Sequence, residues 1–327
     1  MTTENSKKRF TSTIVRGGVS IALIVLVVWN LETESLREAL FNVSLGTLLT
    51  LTIVDLTLRM LSAYRWYVLF RSTNSSSSMS ETTRITFVAS FLGQMLPGVI
   101  GVEALRVHGL AKSSDDAAGA FASVVADRVF GLVSLVLVIC VGLLIGPQEL
   151  QALILRPLMV VLAILVTGVL FVMVPFLRRS LEKILPNFLL NRIKGWIDQV
   201  YECFDFYKSQ PGLLLYSMVL ALSFQMLRVV LFFVAAIMIG ESPAFIYFIV
   251  FVPIVMFAAL LPISVAGLGV REAGLVFLFT RFDVMSSAPA FTIAILVFVS
   301  GLLSTLPGGW FYMRQRKRLD AVMENSR

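Results

Sequence analysis

Six stretches of this 327-residue chain, at about 14–31, 43–63, 118–145, 154–177, 213–239 and 289–312, are continuously apolar. Each is long enough to be a membrane helix, since roughly 20 residues cross about 30 Å of hydrocarbon. With 57% hydrophobic and 14% charged residues and a mean hydropathy of +0.88, the chain holds more apolar side chains than a soluble core can bury. The expected fold class is all-α, polytopic and membrane-embedded. The run at 14–31 follows Lys7, Lys8 and Arg9, as a signal peptide would, but no small-residue cleavage site follows Trp29. It is expected to stay attached.

The net charge of +7 comes from Lys and Arg in short clusters beside the apolar runs. That placement suits the positive-inside rule better than nucleic-acid binding, and no groove-reading or base-stacking motif accompanies it. Cys140 lies in an apolar run and Cys203 in a polar one, so a disulfide is not expected, and a single histidine, His108, builds no metal cluster. Neither a metal nor a cofactor is expected.

Basic residues at the N-terminus, in 64–84 (Arg65, Arg71, Arg84), in 178–211 and in the tail from Arg314 to Arg318 assign all four regions, including both termini, to the cytoplasmic side. The chain must then cross residues 85–116 an even number of times, starting and ending inside. The stretch between Glu241 and the last span must likewise start and end outside. The simplest solution is one re-entrant hairpin from each face, at about 85–116 and 244–280. Residues 178–210, with Trp196, Tyr201, Phe204 and Tyr207 among charged side chains, read as an amphipathic helix on the cytoplasmic interface.

Both hairpins contain related elements: Leu96-Pro97, Arg106, Gly109 and Leu110 recur as Leu261-Pro262, Arg271, Gly274 and Leu275, all displaced by 165 residues. Like elements of opposite orientation mark an inverted-topology repeat. One arm would span about 43–145 and the other about 213–312, within a single membrane domain. Pro97, Gly98 and Gly101 in the first hairpin, and Pro262, Gly267 and Gly269 in the second, are the expected helix breaks. Broken helices expose backbone N–H groups that suit a phosphate or carboxylate.

Charged residues inside such segments are candidates for a transport path, because a lone charge facing lipid is expensive. In the first hairpin these are Glu103 and Arg106, which at i and i+3 are also placed to pair at the surface. Asp127 lies on a small polar stripe with Gly119, Ser123 and Gly131, and Arg128 follows it. That stripe equally describes a helix-packing surface. Arg271 and Glu272 stand about 100° apart on a helix, so at least one is expected to need another partner. Asp55 and Arg59 are spaced as an intrahelical pair, whereas Arg228, with Gln225 one turn before it, has no local acid. Its expected partner is Asp127, Glu272 or a bound anion.

Three pieces stand in order: Pro97-Gly98-x-x-Gly101-x-Glu103-Ala104-Leu105-Arg106, Asp127-Arg128-x-x-Gly131-Leu132, and Pro262-Ile263-Ser264-x-x-Gly267-Leu268-Gly269-Val270-Arg271-Glu272. In these the chain resembles the flippase-like membrane domain of lysylphosphatidylglycerol synthases and its stand-alone relatives, over about residues 15–312. Val99, Val102 and Glu103 replace the Gly, Gly and Asp usual in the first motif, which points to a different headgroup. No synthase domain follows, so aminoacyl transfer is not expected to carry over. The resemblance implies a lipid translocase rather than an enzyme, in the cytoplasmic membrane of a prokaryote, acting on a phospholipid or a polyprenyl-phosphate-linked lipid. The alternatives are an accessory subunit, or a transferase, of a lipid-modification or lipid-linked glycan pathway. A second copy of the chain or a lipid-modifying enzyme is the candidate protein partner.

Overall fold

A computed structural model describes residues 43–72, 77–94, 99–114, 116–146, 209–260 and 267–325, together with positions 18, 22, 25, 29, 148, 151, 152, 155, 159 and 207. The expected spans at 14–31 and 154–177 apart from positions 18, 22, 25, 29, 155 and 159, the interfacial segment 178–210 apart from Tyr207 and the polar turn before Pro211, and the breaks Pro97, Gly98 and Pro262 lie outside the described residues. So does Cys203.

Eight helices form among the described residues: α1 Leu45–Arg71, α2 Met79–Gly93, α3 Val99–Ser114, α4 Ala117–Ile145, α5 Pro211–Met238, α6 Phe245–Leu260, α7 Val270–Arg281 and α8 Ser287–Asn325. Within these, Leu45–Arg71, Gly119–Ile145, Pro211–Met238 and Ser287–Arg314 are long and apolar enough to cross a membrane. Among the described residues the regular structure is entirely helical, and the protein is a multi-pass membrane protein. The pairs α2–α3 and α6–α7 are shorter, at 15 and 16, and 16 and 12 residues.

Local chemistry explains where these helices begin. Ser44 caps α1 by accepting from Thr47 N at 3.0 Å, and Ser78 caps α2 by accepting from Glu81 N at 3.2 Å. Asp116 does the same for α4 through Gly119 N at 2.8 Å, while Pro211 opens α5 at a position that needs no N–H. The second hairpin turns into α7 through Gly267 and Gly269, whose φ angles of 77° and 84° suit glycine alone without strain. Gly101, by contrast, lies within α3 rather than at a break. In the first turn of a helix its missing side chain costs only about 1 kcal/mol, so it does not stop the helix.

The order long, short, short, long occurs twice, as α1–α4 and as α5–α8. The principal helix contacts match as well. Within the quartets, α1–α2, α2–α3, α3–α4 and α1–α4 correspond to α5–α6, α6–α7, α7–α8 and α5–α8. Between them, α2–α8 and α1–α8 correspond to α6–α4 and α5–α4, with α1–α5 at the centre. Tyr64, near the end of α1, shares a hydroxyl hydrogen bond of 3.0 Å with Tyr216, near the start of α5. The two central helices therefore run antiparallel.

Glycine determines how closely each hairpin closes. A Cβ on Gly109 would lie 2.9 Å from Ile85 Cγ2, and one on Gly274 would lie 3.1 Å from Val255 Cγ2. In each hairpin the second helix thus presses a glycine onto the first. The next residues, Leu110 and Leu275, are fully buried. The repeated Gly-Leu of the sequence has a common structural cause: close approach of two backbones, then a leucine in the space behind. The core around α5–α7 is filled by Phe248, Phe251 and Phe279, whose rings meet at 4.9 and 5.1 Å between centroids.

Candidate functional site

Five charged side chains from α1, α3 and α4 form an alternating chain: Arg128, Glu103, Arg106, Asp127, Arg65. Arg128 Nη2 donates to Glu103 Oε1. Arg106 Nη1 donates to Glu103 Oε2 and to Asp127 Oδ2, each at 3.1 Å, and Arg65 Nε donates to Asp127 Oδ1 at 2.6 Å. Asp127, Arg106 and Arg65 are buried, while Arg128 keeps a side-chain exposure of 43%. Asp127 is the eleventh residue of α4, about 15 Å along the helix from its start. The chain of charges is therefore well inside the bundle.

Aromatic rings hold the guanidiniums from the side. Arg106 lies over the Trp66 ring at 4.1 Å, and Trp66 is fixed by donating from Nε1 to Ser123 Oγ at 3.0 Å. Phe224 of α5 carries Arg228 at 4.5 Å and Arg65 at 5.6 Å from its centroid. Arg228 lies near the carboxylate of Asp55, which is itself paired with Arg59, as well as near the positive charges of Arg65 and Arg128. It donates to Gln225 Oε1 at 3.4 Å, and no acid lies within ion-pair distance of it among the described residues. Neither Asp127 nor Glu272 is its partner.

Within this group Arg65 Nη1, Arg106 Nε and Nη2 and Arg128 Nε are buried nitrogens with no acceptor among the described residues. Buried donors of this kind call for a ligand or water, because leaving one unmade costs about 1–3 kcal/mol and more for a charged group. Four arginines face two carboxylates here. The excess is two positive charges.

Glu103, Arg106, Asp127 and Arg128 are thus brought together as a group, and Arg228 joins them through Phe224. The stripe Gly119, Ser123, Asp127, Gly131 faces the same neighbours: Ser123 binds Trp66, Asp127 binds two arginines, and Gly131 O accepts from Gln225 Nε2 at 3.1 Å. Arg271 and Glu272 do not join them. Contrary to the helical-wheel expectation, they satisfy each other, with Arg271 Nε and Nη2 at 3.1 and 2.5 Å from Glu272 Oε1. Glu272 stands in the first turn of α7 and curls back to accept from Gly269 N at 2.6 Å, which brings its carboxylate alongside Arg271. Arg271 also lies over Phe298 at 5.2 Å. His108 is exposed on α3, apart from the charges.

The sequence places Arg65 in the basic cytoplasmic segment 64–84, but α1 runs on to Arg71 and carries it into the core. Phe224 carried no signal beyond apolarity. Arg59 does pair with Asp55, at 3.1 Å, and also donates to Ser304 Oγ at 2.6 Å and Gly301 O at 2.8 Å.

The profile of the lysylphosphatidylglycerol synthase TM region matches residues 13–309, nearly the whole chain. The chain belongs to this family. The described residues of this lysylphosphatidylglycerol synthase-like membrane protein account for the motifs directly: Glu103, Arg106, Asp127 and Arg128 are the ion chain, and Gly267, Gly269 and Glu272 form the turn into α7. No curated protein matches the chain.

Proposed function

We propose that this protein is a lipid translocase that passes a phosphate-bearing headgroup through a polar groove beside the ion chain, while the tails stay in lipid. The observation that carries this reading is the set of buried guanidinium nitrogens without acceptors, next to an excess of positive charge inside the bundle. A group suited to phosphate and lying inside the bundle fits a cargo whose headgroup has to cross the bilayer, and membrane lipids carry such phosphates. Arg106, Arg128, Arg65 and Arg228 would hold the phosphate. Glu103 and Asp127 would space the arginines, and Arg271 with Glu272 would fix the second hairpin.

The matched quartets support two arms of an inverted repeat, with α2–α3 and α6–α7 as re-entrant hairpins from opposite faces. The antiparallel course of α1 and α5 is what inversion requires, and the hairpin helices are shorter than the roughly 20 residues of a full crossing. On the positive-inside rule, the ends of α1 and α3 and the starts of α4 and α5 would face the cytoplasm of a prokaryotic cell. A transferase is less well supported. Both carboxylates of the group are each held by two arginines, so neither is placed to take a proton from a substrate.

The test is reconstitution into vesicles with labelled phospholipid or polyprenyl phosphate, following label movement between leaflets. Movement above that of protein-free vesicles is expected, and lost in Arg128→Gln. Rates equal to protein-free vesicles for every lipid class would overturn the reading.

A further inference from the structure

We infer that the group bound by the arginine cluster is a doubly charged terminal phosphate on a lipid, that is, a phosphomonoester or the end of a diphosphate. This rests on the translocase reading for its lipid source, but its chemistry comes from charge and donor counting. Arg65, Arg106 and Arg128 against Glu103 and Asp127 leave one positive charge. Arg228 adds a second: no acid lies in ion-pair range of it among the described residues, and Asp55, the carboxylate that acts on it, is neutralised by Arg59. A dianion neutralises this group; a phosphodiester monoanion leaves a buried charge, and a zwitterionic or cationic headgroup leaves more.

Donor geometry agrees. Four buried nitrogens on three arginines lack acceptors among the described residues. A terminal phosphate offers three oxygens and a charge of about −1.5 to −2 near neutral pH, whereas a diester offers two free oxygens and a single charge. Arg65 and Arg106, each more than nine-tenths buried, are also held face-on by Phe224 and Trp66, so their free edges keep a set direction. Preset guanidinium forks suit the oxygens of a phosphate. The second hairpin offers no equal, because Arg271 is neutralised by Glu272 and stacked on Phe298. Among the described residues there is one such group.

The experiment is lipid binding to the purified full chain in detergent, read by native mass spectrometry and thermal shift, with dioleoyl phosphatidic acid, phosphatidylglycerol, phosphatidylethanolamine and inorganic phosphate as separate probes. Phosphatidic acid is expected to bind at least about tenfold more tightly than phosphatidylglycerol, which corresponds to about 1.4 kcal/mol. Arg128→Gln, at a half-exposed position that tolerates change, should shrink that preference to within about twofold. Glu103→Gln raises the excess charge to three and should tighten phosphatidic acid, an effect that misfolding cannot imitate. Equal binding of phosphatidic acid and phosphatidylglycerol, or tightest binding of phosphatidylethanolamine, overturns the proposal even if vesicles show transport. Inorganic phosphate matching phosphatidic acid overturns the lipid source. A phosphatidic acid preference without movement in vesicles upholds the site and removes the translocase reading.

Discussion

Arg59 and Gln225 make the same hydrogen bond in opposite halves of the molecule. Each is the fifteenth residue of its helix, α1 or α5, and each donates to a glycine that is the fifteenth residue of a span in the other quartet: Arg59 Nη2 to Gly301 O at 2.8 Å, Gln225 Nε2 to Gly131 O at 3.1 Å. Ser134 and Ser304 donate back to those same glycine carbonyls, at 2.9 and 2.8 Å. The two contacts tie the quartets together about 21 Å along each helix, near mid-span. Gln225→Leu removes this neutral bond and the long 3.4 Å bond that Gln225 accepts from Arg228, and should cost about 1 kcal/mol. Arg59→Leu removes a charged one and strips Asp55 of its ion partner, so about 1.5–3 kcal/mol is expected. Thermal unfolding in detergent measures both, and equal losses would refute this ranking.

Asp127 separates two buried guanidiniums, so its charge matters more than its shape. Asp127→Asn keeps the size but leaves Arg65 and Arg106 facing a neutral group, which should destabilise the protein by about 3–5 kcal/mol. Adding Arg65→Gln removes one of the stranded charges. The double variant should therefore be more stable than the sum of the two single losses implies. Strict additivity in a double-mutant cycle would mean the chain of charges is not coupled.

Much of this architecture was legible in the chain. Apolar length gave the spans at α1, α4, α5 and α8, Gly267 and Gly269 marked the turn into α7, and the charged residues of α3 and α4 marked most of the arginine group. What escaped did so for physical reasons. Arg65 looked like a loop charge because hydropathy falls at residue 64, yet the helix continues once Asp127 and Phe224 cover the guanidinium. The Arg271–Glu272 pair escaped because a helical wheel treats side chains as spokes, while a first-turn glutamate bends back to its own N-cap. The equivalence of Gly131 and Gly301, and of Ser134 and Ser304, was hidden because their numbers differ by 170 rather than by the 165 that relates the hairpins. From Leu110 to Gly131 is 21 residues and from Leu275 to Gly301 is 26, so the shift in register arises after α7.

The arginines are not interchangeable in function. Arg128 is 43% exposed and pairs only with Glu103, so Arg128→Gln should leave melting within about 1 kcal/mol of the parent while lipid movement falls at least about tenfold. Arg271→Ala should do the reverse. It leaves the fully buried Glu272 without its cation, lowering stability with a smaller effect on transport per folded molecule. Vesicle assays normalised to folded protein, run beside melting curves, separate the two; transport lost equally in both variants would return Arg271 to the path.

Two glycines in the middle of α8 give the sharpest contrast. A Cβ on Gly308 would fall 2.1 Å from Phe87 O and 2.5 Å from its carbonyl carbon, both backbone atoms of α2 that no rotamer change can move. Gly308→Ala must therefore push α8 off α2, and that contact joins the two quartets. A loss of at least about 2 kcal/mol is expected, in the range of overpacked cores. Gly301 lies two turns earlier on the same helix, with nothing within 4 Å of its virtual Cβ. Gly301→Ala should be neutral or stabilising by up to about 1 kcal/mol through helix propensity alone. It also leaves the carbonyl that accepts from Arg59 in place. Because the substitution is the same and the helix is the same, helix propensity cancels between the two variants. A difference in melting behaviour then reports the α2–α8 contact alone, and its absence would mean those helices do not meet as described.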